Sequence, residues 1–83
     1  MEISTLIRMA NRIGDFFEAL PDQDEAAEGI ANHIQKFWEP RMRRELLGFL
    51  DAHPDGRVDD ECQLHPLVLG TVTAQRQRLT PSS

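Results

Sequence analysis

The sequence predicts an all-α domain: a small bundle of three to four short helices, with a polar loop before the last helix. Apolar residues recur three and four positions apart through most of the first 52 residues, which is the period of one helix face. Proline, glycine and aspartate stand where these stretches would start or stop. The 83 residues suffice for one domain, 1–83, and are too few for two cores.

The first helix is predicted over about residues 4–20. Ser4 or Thr5 is suited to cap its start, because a side-chain oxygen can accept a hydrogen bond from a free backbone N–H. Pro21 ends it, because proline disfavours helical geometry in the residue before it. The expected buried face consists of Leu6, Met9, Ala10, Ile13, Phe16, Phe17 and Leu20.

Two further helices are predicted over about residues 23–38 and 40–52. Asp22 followed three positions later by Glu25 resembles a capping box at the start of the second helix. Pro40 marks the break, since proline is tolerated at the first position of a new helix. The expected buried residues are Ala26, Ala27, Ile30, Ala31, Ile34, Phe37 and Trp38 in the second helix and Met42, Leu46, Leu47, Phe49 and Leu50 in the third.

The remainder of the chain predicts a loop, a fourth helix and a tail. Residues 55–63 carry three consecutive acids and no helical period, which indicates an exposed loop. A fourth helix is predicted over about residues 66–77, with Pro66 in its first turn. Residues 79–83 are expected to form a frayed tail.

Composition excludes several classes of protein. The chain has 14 acidic and 9 basic residues, for a net charge of -5, whereas proteins that grip phosphate backbones are normally basic. No apolar run approaches the roughly 20 residues that cross a bilayer, so no membrane partner is expected. The start of the sequence lacks the features of a secretory signal, and the single Cys62 cannot form an internal disulfide. These observations predict a cytoplasmic protein.

No catalytic, nucleotide or metal site is predicted. The five glycines are scattered singly, so there is no phosphate-cradling loop. His53, Cys62 and His65 could supply metal ligands, with Asp59 or Glu61 as a fourth, but their spacing matches no paired zinc pattern. We interpret them as loop residues and predict that the chain is not an enzyme.

One segment predicts a surface that binds a partner protein. An aromatic pair, a helix break and three arginines fall within eight positions, and Trp and Arg are the residues most enriched at interface hot spots. The alternative is that the aromatic pair is core and the arginines are a solvated face. The predicted interface residues are Phe37, Trp38, Glu39, Pro40, Arg41, Met42, Arg43 and Arg44.

The sequence, including this segment, resembles a known family, the delta subunit of the soluble NAD-dependent formate dehydrogenases. The resemblance is carried by residues 6–17 (LIRMANRIGDFF), residues 30–34 (IANHI) and above all residues 37–43 (FWEPRMR). It weakens towards the C-terminus, where the family tends to have Ser-Pro-Leu-Val and this chain has His65 before Pro66. Because histidine caps a helix less well than serine, the fourth helix is the least secure part of the match.

The resemblance implies a small accessory subunit that assembles or stabilises a cytoplasmic complex by binding its catalytic subunit. Other chains of that complex hold bis-molybdopterin guanine dinucleotide (with molybdenum or tungsten), iron–sulfur clusters and FMN, and the complex uses NAD; this chain is expected to hold none of them. Two alternatives remain: a transient maturation chaperone for cofactor insertion, and a small helical regulator that binds nucleic acid through Lys36, Arg41, Arg43 and Arg44. In isolation the chain is expected to be marginally stable or to self-associate.

Overall fold

The computed structural model describes residues 2–81 and confirms the all-α fold. The described residues form α1 (Ile3–Glu18), α2 (Gln23–Phe37), α3 (Pro40–Ala52), α4 (Pro66–Ala74) and the single-turn α5 (Arg76–Leu79). Their only strand-like element is an isolated antiparallel bridge between Arg57 and Gln63. No helix in this part of the chain has both the length and the apolar character needed to cross a membrane.

The core lies between α1, α2 and α4, with α3 closing one end. α1 packs against α2, α3 and α4, whereas α5 packs against α2 and α4. Eight residues with large side chains are almost fully buried, which is how a chain this short obtains a continuous core. These residues are Leu6, Ile7, Ile30, Ile34, Leu46, Val68, Val72 and Leu79.

The two predicted helix starts in the first half of the chain have different outcomes. α1 begins at Ile3 with Glu2 at the cap position and no side-chain cap bond, so the prediction that Ser4 or Thr5 caps it is wrong. The Glu2 carbonyl already accepts the first helical hydrogen bonds, which draws both residues into the first turn. Asp22 does cap α2: its Oδ1 accepts from the backbone N–H of Asp24 at 2.9 Å.

The break between α2 and α3 falls where the sequence predicts it. Trp38 still donates its backbone N–H to the Ile34 carbonyl at 3.1 Å, and Glu39 then adopts an extended conformation with ψ of 151°. Pro40 follows at the first position of α3. Proline forces this geometry, because its ring disfavours a helical residue before it and it has no N–H to lose.

The predicted loop between α3 and α4 is largely exposed, but Gly56 within it and Leu64 just after it are buried. Gly56 is buried and has a φ of 71°, a conformation that L side chains rarely adopt. A Cβ at this position would also lie 3.1 Å from the Leu64 Cβ. The Leu64 N–H donates to the Gly56 carbonyl at 2.8 Å, which closes the loop and inserts the Leu64 side chain into the core.

The C-terminal end is more ordered than a frayed tail. The helix predicted over residues 66–77 ends at Ala74, and Gln75, with ψ of 23°, redirects the chain into α5. Leu79, expected in the tail, is 1% exposed, because α5 folds back against α2 and α4. Its burial removes a large apolar side chain from water, a favourable term that outweighs the entropy of an ordered end. Residues 82–83 of the predicted tail lie outside the described part.

Candidate partner-binding surface

The candidate surface begins at Trp38, which the structure places inside the molecule. Its side chain is 5% exposed and belongs to the core cluster with Ile34 and Leu46. A residue this deeply buried offers almost no area to a partner while the chain stays folded. Of the two interpretations that the sequence allows for Trp38, its position in the folded chain agrees with core packing.

Phe37, its neighbour, points the other way. It is 71% exposed, and its ring lies against His33, one helical turn earlier, with 4.9 Å between ring centroids. Successive residues on a helix point about 100° apart, so an adjacent aromatic pair cannot bury both rings on one face. Four further residues of the predicted segment are also exposed: Glu39, Pro40, Arg41 and Arg44.

Met42 and Arg43, the remaining residues of the predicted segment, are half-buried. Met42 packs against the core cluster. The Arg43 guanidinium reaches towards the C-terminal end, where Nη1 donates to the Leu79 carbonyl at 3.4 Å, and its buried Nε has no hydrogen-bond partner among the described residues. Arg43 therefore links α3 to α5 inside the chain. The exposed part of the predicted surface is a subset of it, with Phe37 as its large apolar member.

Sequence reasoning missed a second exposed aromatic residue, Phe16. The helical period assigns Phe16 to the core, yet it is 72% exposed, and its ring meets that of Phe17 edge-on at 5.0 Å. Phe17 occupies the inner position: a Cβ added at Gly29 would lie 2.4 Å from its ring. The signal was present in the sequence, since two adjacent phenylalanines on one helix must diverge.

A groove joins these aromatic residues across α1 and α2. It has a volume of about 330 Å³ and is lined by Arg12, Ile13, Phe16, Phe17 and His33. Phe37 lies beside the groove, with its ring tilted by 41° against that of His33. We call Phe16, His33 and Phe37, with the groove between them, the aromatic face. It is open to solvent and mainly apolar.

Two cations border the aromatic face without an internal partner. Arg12 lines the groove, and Lys36 precedes Phe37 at the end of α2. Neither forms an ion pair within residues 2–81, whereas four arginines elsewhere pair with Glu45, Asp60, Asp51 and Glu28. In a protein with a net charge of -5, these two residues place positive charge beside an apolar surface.

His65 lies in the one group of possible metal ligands among the described residues. Its Nε2 is 2.7 Å from the Glu18 carboxylate and 3.6 Å from that of Asp15, while Nδ1 accepts the Leu67 N–H at 3.1 Å and so caps α4. Because Nδ1 is an acceptor, the neutral ring carries its proton on Nε2 and donates it to Glu18. Both nitrogens thus have structural partners. His53 and Cys62 lie outside this group.

The strongest ion pair lies away from the aromatic face and holds α5. The Arg78 guanidinium forms two parallel hydrogen bonds with the Glu28 carboxylate, each 2.8 Å long, and Nε donates to the Gln35 side chain at 2.8 Å. These hydrogen bonds, more than the charge attraction, hold the pKa of the Glu28 carboxyl below its ordinary value and raise the pKa of Arg78. This pair positions the turn that carries Leu79.

Comparison with known proteins assigns the chain to a family. The family model of the NADH-dependent formate dehydrogenase delta subunit, FdsD, matches residues 5–72. The chain belongs to this family. The matched region includes most of α1, all of α2 and α3, and most of α4, and therefore the whole aromatic face and residues 37–44. No curated protein and no solved structure matches the chain.

Proposed function

We propose that the chain is a non-catalytic accessory subunit that assembles or stabilises a cytoplasmic NAD-dependent formate dehydrogenase by binding its catalytic subunit. The observation that carries the proposal is the family match over residues 5–72. The physical mechanism is linkage: a partner that binds only the folded chain stabilises it in proportion to its concentration over its Kd, and the chain stabilises the partner reciprocally.

The distribution of reactive side chains supports a non-catalytic role. The His33 ring lies tilted against Phe37, His53 stacks on Phe49, and His65 caps α4, so each histidine serves a different place in the fold. The backbone N–H of Cys62, the single cysteine, is bonded to Asp59 within the loop. A nucleophile and its base need to lie within hydrogen-bond reach, and this arrangement offers no such pair.

The single cysteine of this chain does not fit the ligation of an iron–sulfur cluster. An iron–sulfur cluster usually takes four cysteine thiolates, and the sequence contains one cysteine. We propose on this ground that the clusters belong to other chains, and from the family resemblance that bis-molybdopterin guanine dinucleotide and FMN do as well. The proposed contact surface consists of the exposed residues of the 37–44 segment, with Phe37 at its centre.

Co-purification from the native host tests the proposal. The chain is tagged, expressed at its normal level and recovered, and the bound proteins are identified and counted. A permanent subunit appears at fixed stoichiometry with active, cofactor-loaded formate dehydrogenase. A maturation chaperone appears only with the cofactor-free catalytic subunit. Recovery of active enzyme with no trace of the tagged chain at any stage would contradict both roles.

A further inference from the structure

The aromatic face has the character of a docking site that no part of the described chain fills. Phe16 and Phe37 are 72% and 71% exposed, which makes them the two most exposed large apolar residues of the described chain. Neither stabilises the core by burial. Phe16 lines the groove, and Phe37 lies against His33, another of the lining residues. Contiguous exposed apolar surface of this kind marks interaction sites in soluble proteins.

The charges beside the aromatic face indicate what kind of partner it accepts. Arg12 and Lys36 have no ion pair within residues 2–81, although the protein has an excess of acids. Of the acids on the same two helices, Asp15 and Glu18 lie at His65 and Glu28 pairs with Arg78. Asp24 and Glu25 form no ion pair within residues 2–81, and they lie in the first turn of α2, at the opposite end of that helix from Lys36. The unmatched positive charges therefore complement carboxylates supplied from outside.

The size of the groove limits what enters it. Its volume of about 330 Å³ is near the lower end of the range for ligand pockets, which spans roughly 300–1,000 Å³. A groove of this size suits one or two large apolar side chains rather than a whole helix or strand. Aromatic side chains from two neighbouring helices border the groove, and its floor is apolar. Amphipathic segments bind to grooves of this kind by laying their apolar side chains into them.

We infer that the aromatic face binds an acidic amphipathic segment of a larger subunit, which inserts apolar side chains between Phe16 and His33 and sets carboxylates against Arg12 and Lys36. This inference rests on the proposed function, because it takes the larger subunit to belong to the formate dehydrogenase complex. It extends the proposed contact surface from Phe37 on α2 to Phe16 on α1, and it leaves out Trp38, which is buried.

A binding titration tests the apolar part of the inference. The other subunits of the complex are purified from a strain lacking this chain, and the full-length chain is titrated against them. The Phe16→Ser/Phe37→Ser variant should bind at least about 30-fold more weakly, as expected for aromatic hot spots. The matched control is Val58→Ser, which changes an apolar residue that is 44% exposed on the loop and should bind within about threefold of the unmodified chain.

A charge reversal tests the electrostatic part. Arg12→Glu and Arg8→Glu change two arginines one turn apart on α1, both exposed and without an ion pair among the described residues. Arg12 lines the aromatic groove, whereas Arg8 lines a cleft beside Asp59 and Glu61. We expect Arg12→Glu to weaken binding about tenfold at low salt, with a smaller loss at high salt, and Arg8→Glu to have little effect.

The outcomes separate the inference from the proposed function. If the unmodified chain does not bind the other subunits, the proposed function fails and the inference fails with it. If it binds and the double phenylalanine variant, folded by circular dichroism, binds equally well, the inference alone is wrong. A photoreactive phenylalanine analogue at position 16 or 37 identifies the occupant: crosslinks to an acidic segment of a larger subunit support the inference, and crosslinks only to a second copy of this chain overturn it.

Discussion

Two aromatic pairs, one on α1 and one at the end of α2, each divide between the inside and the outside of the molecule. Phe17 and Trp38 are the inward members: Phe17 lies over Gly29, and Trp38 is 5% exposed. Phe16 and Phe37 are the outward members, each more than two-thirds exposed. The inward residues hold helices together, and the outward residues leave apolar surface available. Residues that look equivalent in a helical period can therefore have opposite roles.

The comparison predicts the largest loss of stability when an inward member of a pair is replaced. Trp38→Ala should destabilise the chain by about 3–5 kcal/mol, because it leaves a cavity in the core and removes the apolar contacts of a large ring. That loss approaches the whole stability expected of a small domain, so the variant should be largely unfolded at room temperature. Urea titration followed by circular dichroism measures it. A variant that stays folded with an unchanged midpoint would show that Trp38 is not the inward member of its pair.

A matched pair of glycine substitutions tests the packing of Phe17 against Gly29. Gly29→Ala places a Cβ 2.4 Å from the Phe17 ring, which must move, whereas Gly48→Ala meets nothing within 4 Å. Alanine favours helix over glycine by about 1 kcal/mol, so Gly48→Ala should stabilise the chain. Gly29→Ala should lose this gain and about 1–3 kcal/mol more through overpacking. Equal midpoints in urea for the two variants would mean that Phe17 does not depend on Gly29.

The outward members should matter little to folding. Phe16→Ser and Phe37→Ser should each change the free energy of unfolding by no more than about 0.5 kcal/mol, because both residues are mostly exposed before the substitution. The measurement is the same urea titration. A loss as large as that of Trp38→Ala would remove the distinction between inward and outward members.

The smallest expected effect concerns the ion pair on the other side of α2. Because Arg78 lowers the pKa of Glu28 below its ordinary 4.5, this pair stabilises the fold above that pH, and its contribution is lost as the pH falls through the lowered pKa. Glu28→Gln should remove this part of the acid dependence. Glu61→Gln, at an acid whose side chain has no ion pair among the described residues, should keep it. Parallel pH titrations of the two variants would contradict this role of the pair.

Much of the fold could be predicted from the sequence, because local rules decide it. The period of apolar residues and the proline at position 40 locate α1, α2 and α3, and the Asp22 cap follows from its spacing to Glu25. α5 could not be predicted in this way. It is a single turn, too short to show a period, and it is held by Leu79 in the core and by Arg78 on Glu28. Such contacts depend on the tertiary fold.

The candidate site was predicted in part. Sequence reasoning selected Phe37 and its exposed neighbours because aromatic residues and arginines collect at interfaces. It also selected Trp38, which is buried, and it assigned Phe16 to the core. Both wrong assignments come from the assumption that one helix face is wide enough to hold two adjacent residues. Only the packing of α1 against α2 decides which member of a pair turns inward.

Hydroxyl-radical footprinting of the chain, alone and in the assembled complex, tests the central claim most directly. In the free chain, Phe16 and Phe37 should be oxidised and Phe17 and Trp38 protected, in line with their exposure. In the complex, Phe16 and Phe37 should become protected while Val58 remains reactive, because the outward aromatic residues are the ones that meet the partner. Equal oxidation of Phe16 and Phe37 in both states would contradict the account.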